Sequence, residues 1–229
     1  MDKQFSYEKL SDDIFVCVSQ EHRFGTDAFL LCEFASPRHK DLVCDLGTGC
    51  GIIPMALERD FSPKQIYAVD IQPLAIEQTR LSVEKSQKGE KIIPVCADLK
   101  NLHDIGFGRF DVVTCNPPYF TNGAGILSET DSDKIARHET MCSMQDVCDC
   151  AGKLLKFGGK LCVCQRPERI MDVLFAMRQS GIEPKYIQFV AKNEKTQPWL
   201  VLVEGKKGSK PYLTVKPSRF IGDGDIFSK

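Results

Sequence analysis

The stretch Asp45-Leu46-Gly47-Thr48-Gly49-Cys50-Gly51 constrains the fold more than any other part of the chain. It closes an apolar run, LVCDLG at 42–47, that reads as a buried strand, and it precedes a helical pattern near 51–60. Glycine at alternate positions lets the backbone turn sharply and leaves no side chain between peptide groups and a ligand. Such a turn between buried strand and helix opens a doubly wound α/β sheet. The spacing is G-x-G-x-G, one residue tighter than the G-x-G-x-x-G that brings a helix N-terminus to a diphosphate. A ligand made of an amino acid and a nucleoside, with no phosphate, suits so close a loop. A purely structural turn has the same spelling, so the loop alone does not decide.

The rest of the chain continues the alternation. IYAVDI (66–71) is a second strand, and Pro73 suits the first turn of a helix whose apolar positions are Leu74, Ile76, Leu81 and Val83. IIPVCADL (92–99) and FDVVTC (110–115) are the third and fourth strands. Between 120 and 142 the chain is polar and without period, which predicts a long loop, mobile before substrate arrives. A helix at about 143–156, a strand at 160–165 and a helix at 167–180 opened by Pro167 follow. YIQFVA and WLVLVEG then read as two closing strands joined by a polar turn, in the manner of a hairpin.

Three acids stand at predicted strand ends. Asp45 lies beside the glycine loop; Asp70 comes about 20 residues later, where a carboxylate accepts ribose hydroxyls in open sheets; Asp98 is placed to orient an adenine amino group. Each alone reads equally well as a solvated strand end. The fourth strand ends in Asn116-Pro117-Pro118-Tyr119. Two prolines remove two donors and stiffen the chain as it leaves the sheet, so the Asn116 amide oxygen and the Pro117 carbonyl become fixed acceptors. An aryl or amide NH2 is a poor nucleophile because its lone pair is delocalised. Two acceptors gripping its N–H bonds favour a pyramidal nitrogen and aim the lone pair, and Tyr119 offers a ring on which a planar group stacks. The competing reading is an ordinary Pro-Pro turn.

Together, DLGTGCG, Asp70, Asp98 and NPPY resemble the class I Rossmann-like methyltransferases that modify amino nitrogens. Phe24-Gly25-Thr26-Asp27-Ala28-Phe29-Leu30-Leu31 is similar to the G-x-D-x-x-L-L segment of the tRNA(Val) adenine N6-methyltransferase family, and Arg137-His138-Glu139 also matches it. The resemblance implies an α/β fold with a seven-stranded, mostly parallel sheet, an antiparallel last strand and a short N-terminal extension. It implies N6-methylation of the adenine next to the anticodon of a valine tRNA, with S-adenosyl-L-methionine as cofactor. Asp45, Gly47, Gly49, Asp70 and Asp98 would hold that cofactor, with Phe24 and Asp27 closing its end. Asn116, Pro117 and Tyr119 would hold the target base. Release-factor glutamine methyltransferases share NPPY but carry an extra N-terminal helical domain, whereas about 40 residues precede the first core strand here. N5-methylation of a protein glutamine and a non-catalytic cofactor- or RNA-binding module are the alternative functions. The expected organisation is one domain, with an extension at 1–40, a cofactor and catalytic core at 41–165, and closing strands with a basic surface at 166–229.

Composition narrows the partners. The net charge of −1 conceals an asymmetry, since residues 151–229 hold 15 Lys+Arg against 7 Asp+Glu. A phosphate backbone responds to such a local patch. Lys206, Lys207, Lys210, Lys216 and Arg219 cluster with Tyr212 and Phe220, as on single-stranded RNA surfaces; the alternative is a soluble tail. Arg137 is a further phosphate ligand, or half of a loop ion pair with Glu139. The expected partner is therefore RNA, with no membrane and a monomer favoured. No apolar run approaches bilayer length and the start of the chain lacks a signal-peptide core, so a cytoplasmic location is expected. The eleven cysteines then read as reduced thiols. Cys148-x-Cys150 and Cys162-x-Cys164 lack zinc-ligand spacing, and no metal is expected.

Overall fold

A computed structural model describes residues 5–19, 24–102, 106, 108–117 and 142–222. Seven strands form the body of its sheet: β3 (Leu42–Leu46), β4 (Gln65–Asp70), β5 (Ile92–Cys96), β6 (Phe110–Cys115), β7 (Leu155–Gln165), β8 (Ile182–Ala191) and β9 (Leu200–Lys207). Their spatial order is β5-β4-β3-β6-β7-β9-β8. Only β9 runs antiparallel, pairing with β7 on one side and β8 on the other. This is the expected sheet, and the expected hairpin is β8–β9. Two short strands, β10 (Thr214–Val215) and β11 (Arg219–Phe220), extend it by pairing in parallel with the outer edge of β8.

The strands are near-continuous apolar runs because both faces of the sheet are covered. Successive residues feed opposite cores: Val43 and Val112 face one cluster, Cys44 and Val113 the other. The first cluster packs under α1 (Thr26–Ala35) and α2 (Ile52–Asp60), around Leu31, Met55 and Leu57. The second packs under α4 (Met144–Leu154) and α5 (Ile170–Gln179), around Phe110, Leu154 and Met177. Cys148, Cys150, Cys162 and Cys164 are buried within these clusters, and all eleven cysteines are free thiols.

Several elements depart from the sequence reading for physical reasons. In α3 (Pro73–Lys85), Ile76 is buried as expected, but so are Gln78, Thr79 and Ser82. Gln78 and Ser82 face inward because an N-terminal hairpin, β1 (Ser6–Lys9) with β2 (Phe15–Val18), leans on the helix, whereas Thr79 packs against the glycine turn after β3. Ser82 Oγ accepts from Cys17 N at 2.8 Å, Ser86 Oγ accepts from Phe15 N at 2.9 Å, and Gln78 Nε2 donates to Cys17 O at 3.0 Å. A strand edge that would be left unpaired is thus satisfied by side chains. Pro94 sits inside β5, which tolerates it as the edge of the sheet. β7 begins at Leu155, directly after α4, five residues before the predicted strand. Its Phe110↔Leu155 and Val112↔Lys160 pairings bracket an irregularity that contains Gly158 and Gly159. Most of the predicted 120–142 loop lies outside the described residues.

Candidate active site

Strands β3, β4, β5 and β6 are parallel, so their carboxyl ends meet along one edge, where open α/β sheets bind ligands. Asp45, Asp70, Asp98 and Asn116 all emerge there, each at or just after the end of a different strand. The helix α1 brings Asp27 to the same edge from outside the sheet.

On the β3–β4 side, the glycine loop turns through left-handed residues, with φ of 71° at Gly47 and 57° at Gly49. A Cβ added to either would meet nothing within 4 Å among the described residues, so the loop's outer side faces open space. Gly51 differs: a Cβ there would lie 2.8 Å from Thr79 Oγ1, which makes it a packing glycine. Asp70 holds the loop, accepting from Gly49 N at 2.9 Å through Oδ2 and from Gln72 N at 2.9 Å through Oδ1. Next to it, Ile71 is 45% exposed, an apolar platform beside a carboxylate. Asp98 caps a short 3-10 turn at Leu99–Asn101, with Oδ1 accepting from Lys100 N at 2.9 Å.

Asp45 is fully buried. Its Oδ1 accepts from Thr114 Oγ1 at 2.6 Å, while Asp45 Oδ2 and the Thr48 hydroxyl are buried with no hydrogen bond of good geometry among the described residues. Burial pushes the Asp45 carboxyl up to about 7, the hydrogen bond from Thr114 and the nearby Thr48 hydroxyl oppose the rise, and the charge of Asp70 adds to it. Orphaned polar atoms beside an open glycine loop fit a ligand that brings its own donors. S-adenosyl-L-methionine carries an ammonium and ribose hydroxyls as donors, and an adenine to lie on Ile71. The residues present therefore fit it.

On the β6–β7 side, the Asn116 amide is tied at both ends. Its Nδ2 donates to Asp27 Oδ2 at 3.0 Å, and its Oδ1 accepts from the Cys164 thiol at 3.1 Å. Pro117 follows it, half-buried, at the end of β6. Phe24 packs edge-to-face on Phe29, with ring centroids 5.8 Å apart, at the start of α1. Tyr119 and Arg137 lie outside the described residues.

Of the predicted basic residues, Lys206, Lys207 and Lys210 are not brought to this edge. β9 runs antiparallel to β7, so Lys206 pairs with Lys160 and Lys207 with Ile182, at the opposite end of the sheet. Lys207 Nζ donates to Leu155 O at 2.7 Å, and Lys210 follows β9 past its end at Lys207, its carbonyl accepting from Lys185 Nζ. From the level of Val201, opposite Gln165, to Lys206 is roughly 17 Å of strand. The antiparallel course of β9 carries Lys206, Lys207 and Lys210 away from the site, whereas the chain beyond them runs parallel to β8 and returns toward the carboxyl edge, with Arg219 opposite Val190. Two residues of the site went unnoticed. Thr114 was signalled by a hydroxyl inside the apolar run FDVVTC, and Cys164 by sharing a face with Cys162.

Comparison with known proteins points to a methyltransferase family. Residues 18–179 match the family model described as "Methyltransferase small domain". A protein of Porphyromonas gingivalis named tRNA1(Val) (adenine(37)-N6)-methyltransferase is 29% identical over 180 residues, covering 74% of this chain and 67% of its own. The protein of that name from Escherichia fergusonii is 29% identical over 184 residues, covering 79% and 74%. Among solved structures, a predicted O-methyltransferase of Agrobacterium tumefaciens superposes with a TM-score of 0.71 at 20% identity, over 88% of this chain and 91% of its own. TYW2 of M. jannaschii in complex with AdoMet gives 0.60 at 16% identity, over 90% and 87%. At these identities the structures speak to the fold alone.

Proposed function

This chain belongs to the methyltransferase small domain family, and on that premise we propose that it methylates the exocyclic N6 of an adenine in tRNA, at position 37 of a valine tRNA as its relatives' names state. The observation that carries the proposal is Asn116, whose amide is held at the carboxyl end of β6 beside the glycine loop by Asp27 and Cys164. The cofactor, when bound, supplies an electrophilic methyl on a sulfonium. Everything else falls to the chain. Asn116 Oδ1 and the Pro117 carbonyl accept the two N–H bonds of the target amino group and turn its lone pair toward the methyl. The resemblance gives Tyr119, outside the described residues, the role of stacking on the base. No strong base is needed, since the methylated nitrogen is acidic enough to lose its extra proton to water. Catalysis rests on orientation and on binding the pyramidal nitrogen better than the planar one. Among the described residues no helix is long and apolar enough to cross a membrane.

The test offers labelled S-adenosylmethionine with tRNA lacking the modification, with DNA and with a protein extract, followed by nucleoside and peptide mass analysis. The expected product is N6-methyladenosine in tRNA. Label in protein glutamine overturns the RNA reading and keeps the role of Asn116. No label in any substrate overturns both.

A further inference from the structure

The resemblance implies that Asp27 closes the cofactor end of the site, but the structure gives its carboxylate a different neighbour. We propose that Asp27 is a positioning residue that fixes the orientation of the Asn116 amide and polarises it toward the target amino group. The inference deepens the proposed function and rests on its reading of Asn116 as the group that grips the target nitrogen.

The need for such a residue follows from the chemistry of an amide. Its two ends are nearly the same size, and half a turn about the last side-chain bond exchanges them. Only the oxygen accepts from an amino group; the flipped amide would set NH2 against NH2. Orientation is therefore a condition of catalysis, and the partners of Asn116 impose it. An ionised carboxylate only accepts, so Asp27 Oδ2, 3.0 Å away, selects Nδ2 and repels the oxygen. A thiol has a proton to give, so Cys164 Sγ, 3.1 Å from Oδ1, selects the oxygen. The carboxylate rejects the flipped form and the thiol favours the oxygen, so Oδ1 is the end of the amide presented as an acceptor. Drawing density from Nδ2–H toward a carboxylate also makes Oδ1 a stronger acceptor. The same negative charge lies one residue from a nitrogen that gains positive charge as it is methylated.

Asp27 is itself held in place. It stands in the first turn of α1, where exposed amide N–H groups favour an anion, and its Oδ1 accepts from Ala28 N at 3.0 Å. This also explains Gly25. Its backbone is extended, with φ of −115°, so conformation does not demand glycine there. A Cβ at Gly25, however, would lie 2.8 Å from Asp27 Oδ1. Gly25 clears the space in which the carboxylate sits, and Phe24-Gly25-Thr26-Asp27 acts on the catalytic asparagine from outside the sheet.

The test uses Asp27→Asn, which keeps size and an accepting oxygen but removes the charge and the selectivity, with Gly25→Ala as a second variant that crowds the carboxylate without replacing it. Turnover on the tRNA substrate at saturating cofactor falls about 10- to 100-fold in Asp27→Asn and less in Gly25→Ala, while KM for RNA and Kd for S-adenosylmethionine by calorimetry stay within about twofold. Independently of activity, the side-chain NH2 signals of Asn116 are followed by NMR in labelled protein without ligands, identified by their loss in Asn116→Ala. One is expected downfield in the wild type and moves upfield in Asp27→Asn. Unchanged turnover with unmoved signals overturns the proposal. A large rise in cofactor Kd with unmoved signals makes Asp27 a cofactor ligand, as the resemblance implies. A wild type that methylates no RNA defeats the proposed function, while the NMR signals still decide whether Asp27 orients the amide.

Discussion

On the β3–β4 side of the site, Asp45 Oδ2 and Thr48 Oγ1 are buried with no hydrogen bond of good geometry among the described residues, and the loop at Gly47 and Gly49 faces open space; on the β6–β7 side, the Asn116 amide is already tied at both ends. The first half is incomplete until a ligand supplies its donors. The second is finished before any ligand arrives. The difference matches the demands on the two halves. A tightly held cofactor repays orphaned groups with binding energy, whereas an acceptor that must meet a weak nucleophile gains most from being rigid beforehand. Losing a group on the second side should therefore cost rate, and losing one on the first should cost affinity.

The largest effect tests the finished side. Asn116→Ala should lower turnover by at least about 100-fold, the scale seen when one preorganised hydrogen-bonding group is removed, and leave cofactor affinity nearly unchanged. Single-turnover kinetics with calorimetry on the same protein separates the two quantities. Retained turnover would remove Asn116 from the chemistry and dissolve the contrast between the halves.

Asp70→Ala tests the incomplete side in mirror image. It removes the acceptor that holds Gly49 N and Gln72 N, together with the carboxylate offered to ribose hydroxyls. Cofactor affinity should weaken about 10- to 100-fold, the worth of one or two charge-assisted bonds, with a smaller loss of rate at saturation. An unchanged Kd would place the cofactor elsewhere on the edge.

Legibility in the sequence follows the same division. Strands β3, β4 and β6 were readable to within about a residue because doubly buried parallel strands are unbroken apolar runs. Gly47, Gly49, Asp70 and Asn116 were readable as site candidates because backbone clearance and strand-end position leave a local signature. What escaped depends on pairing between distant segments. The N-terminal hairpin was hidden because its contacts to α3 run through Gln78, Ser82 and Ser86, polar residues that a periodicity reading assigns to solvent. The contact between Asp27 and Asn116 spans 89 positions. No local pattern encodes it.

A third prediction sharpens the contrast through stability. Because the folded Asp45 carboxyl titrates near 7, far above the 3.8 of an unperturbed aspartate, the folded chain keeps a proton between about pH 4 and pH 7 that the unfolded chain has lost. Stability thus falls as pH rises through that window and stays reduced above it. Asp45→Asn does not titrate and keeps an oxygen for the Thr114 hydroxyl, so it should melt roughly 3–8 °C higher than the wild type at pH 8 without ligands. The gain should shrink steadily toward pH 5, in thermal unfolding at three pH values. Cofactor affinity should meanwhile fall, the usual opposition of stability and function at a ligand site. A melting difference independent of pH would show that the buried charge is not the source of the strain.

The smallest effect is expected farthest from the site, where sequence and structure disagree most on location. Lys206 and Lys210 belong to the strongest basic run in the chain, but the antiparallel course of β9 carries them to the end of the sheet away from Asn116. Phosphates flanking a base held at Asn116 lie on the carboxyl side of the sheet, whereas Lys206 is roughly 17 Å of strand below that edge, beyond the Debye length of about 8 Å at physiological salt. Lys206→Ala with Lys210→Ala should therefore change turnover and KM on a short anticodon stem-loop by less than about twofold. On a full-length tRNA, whose arms reach much farther, the same pair is free to contribute, and its loss would reduce the salt dependence of binding by up to about two charges. Measuring both substrates across a salt series separates the cases. A tenfold loss on the stem-loop would mean that the RNA wraps the sheet to its amino end, and the site would then have to be drawn around both ends of β9.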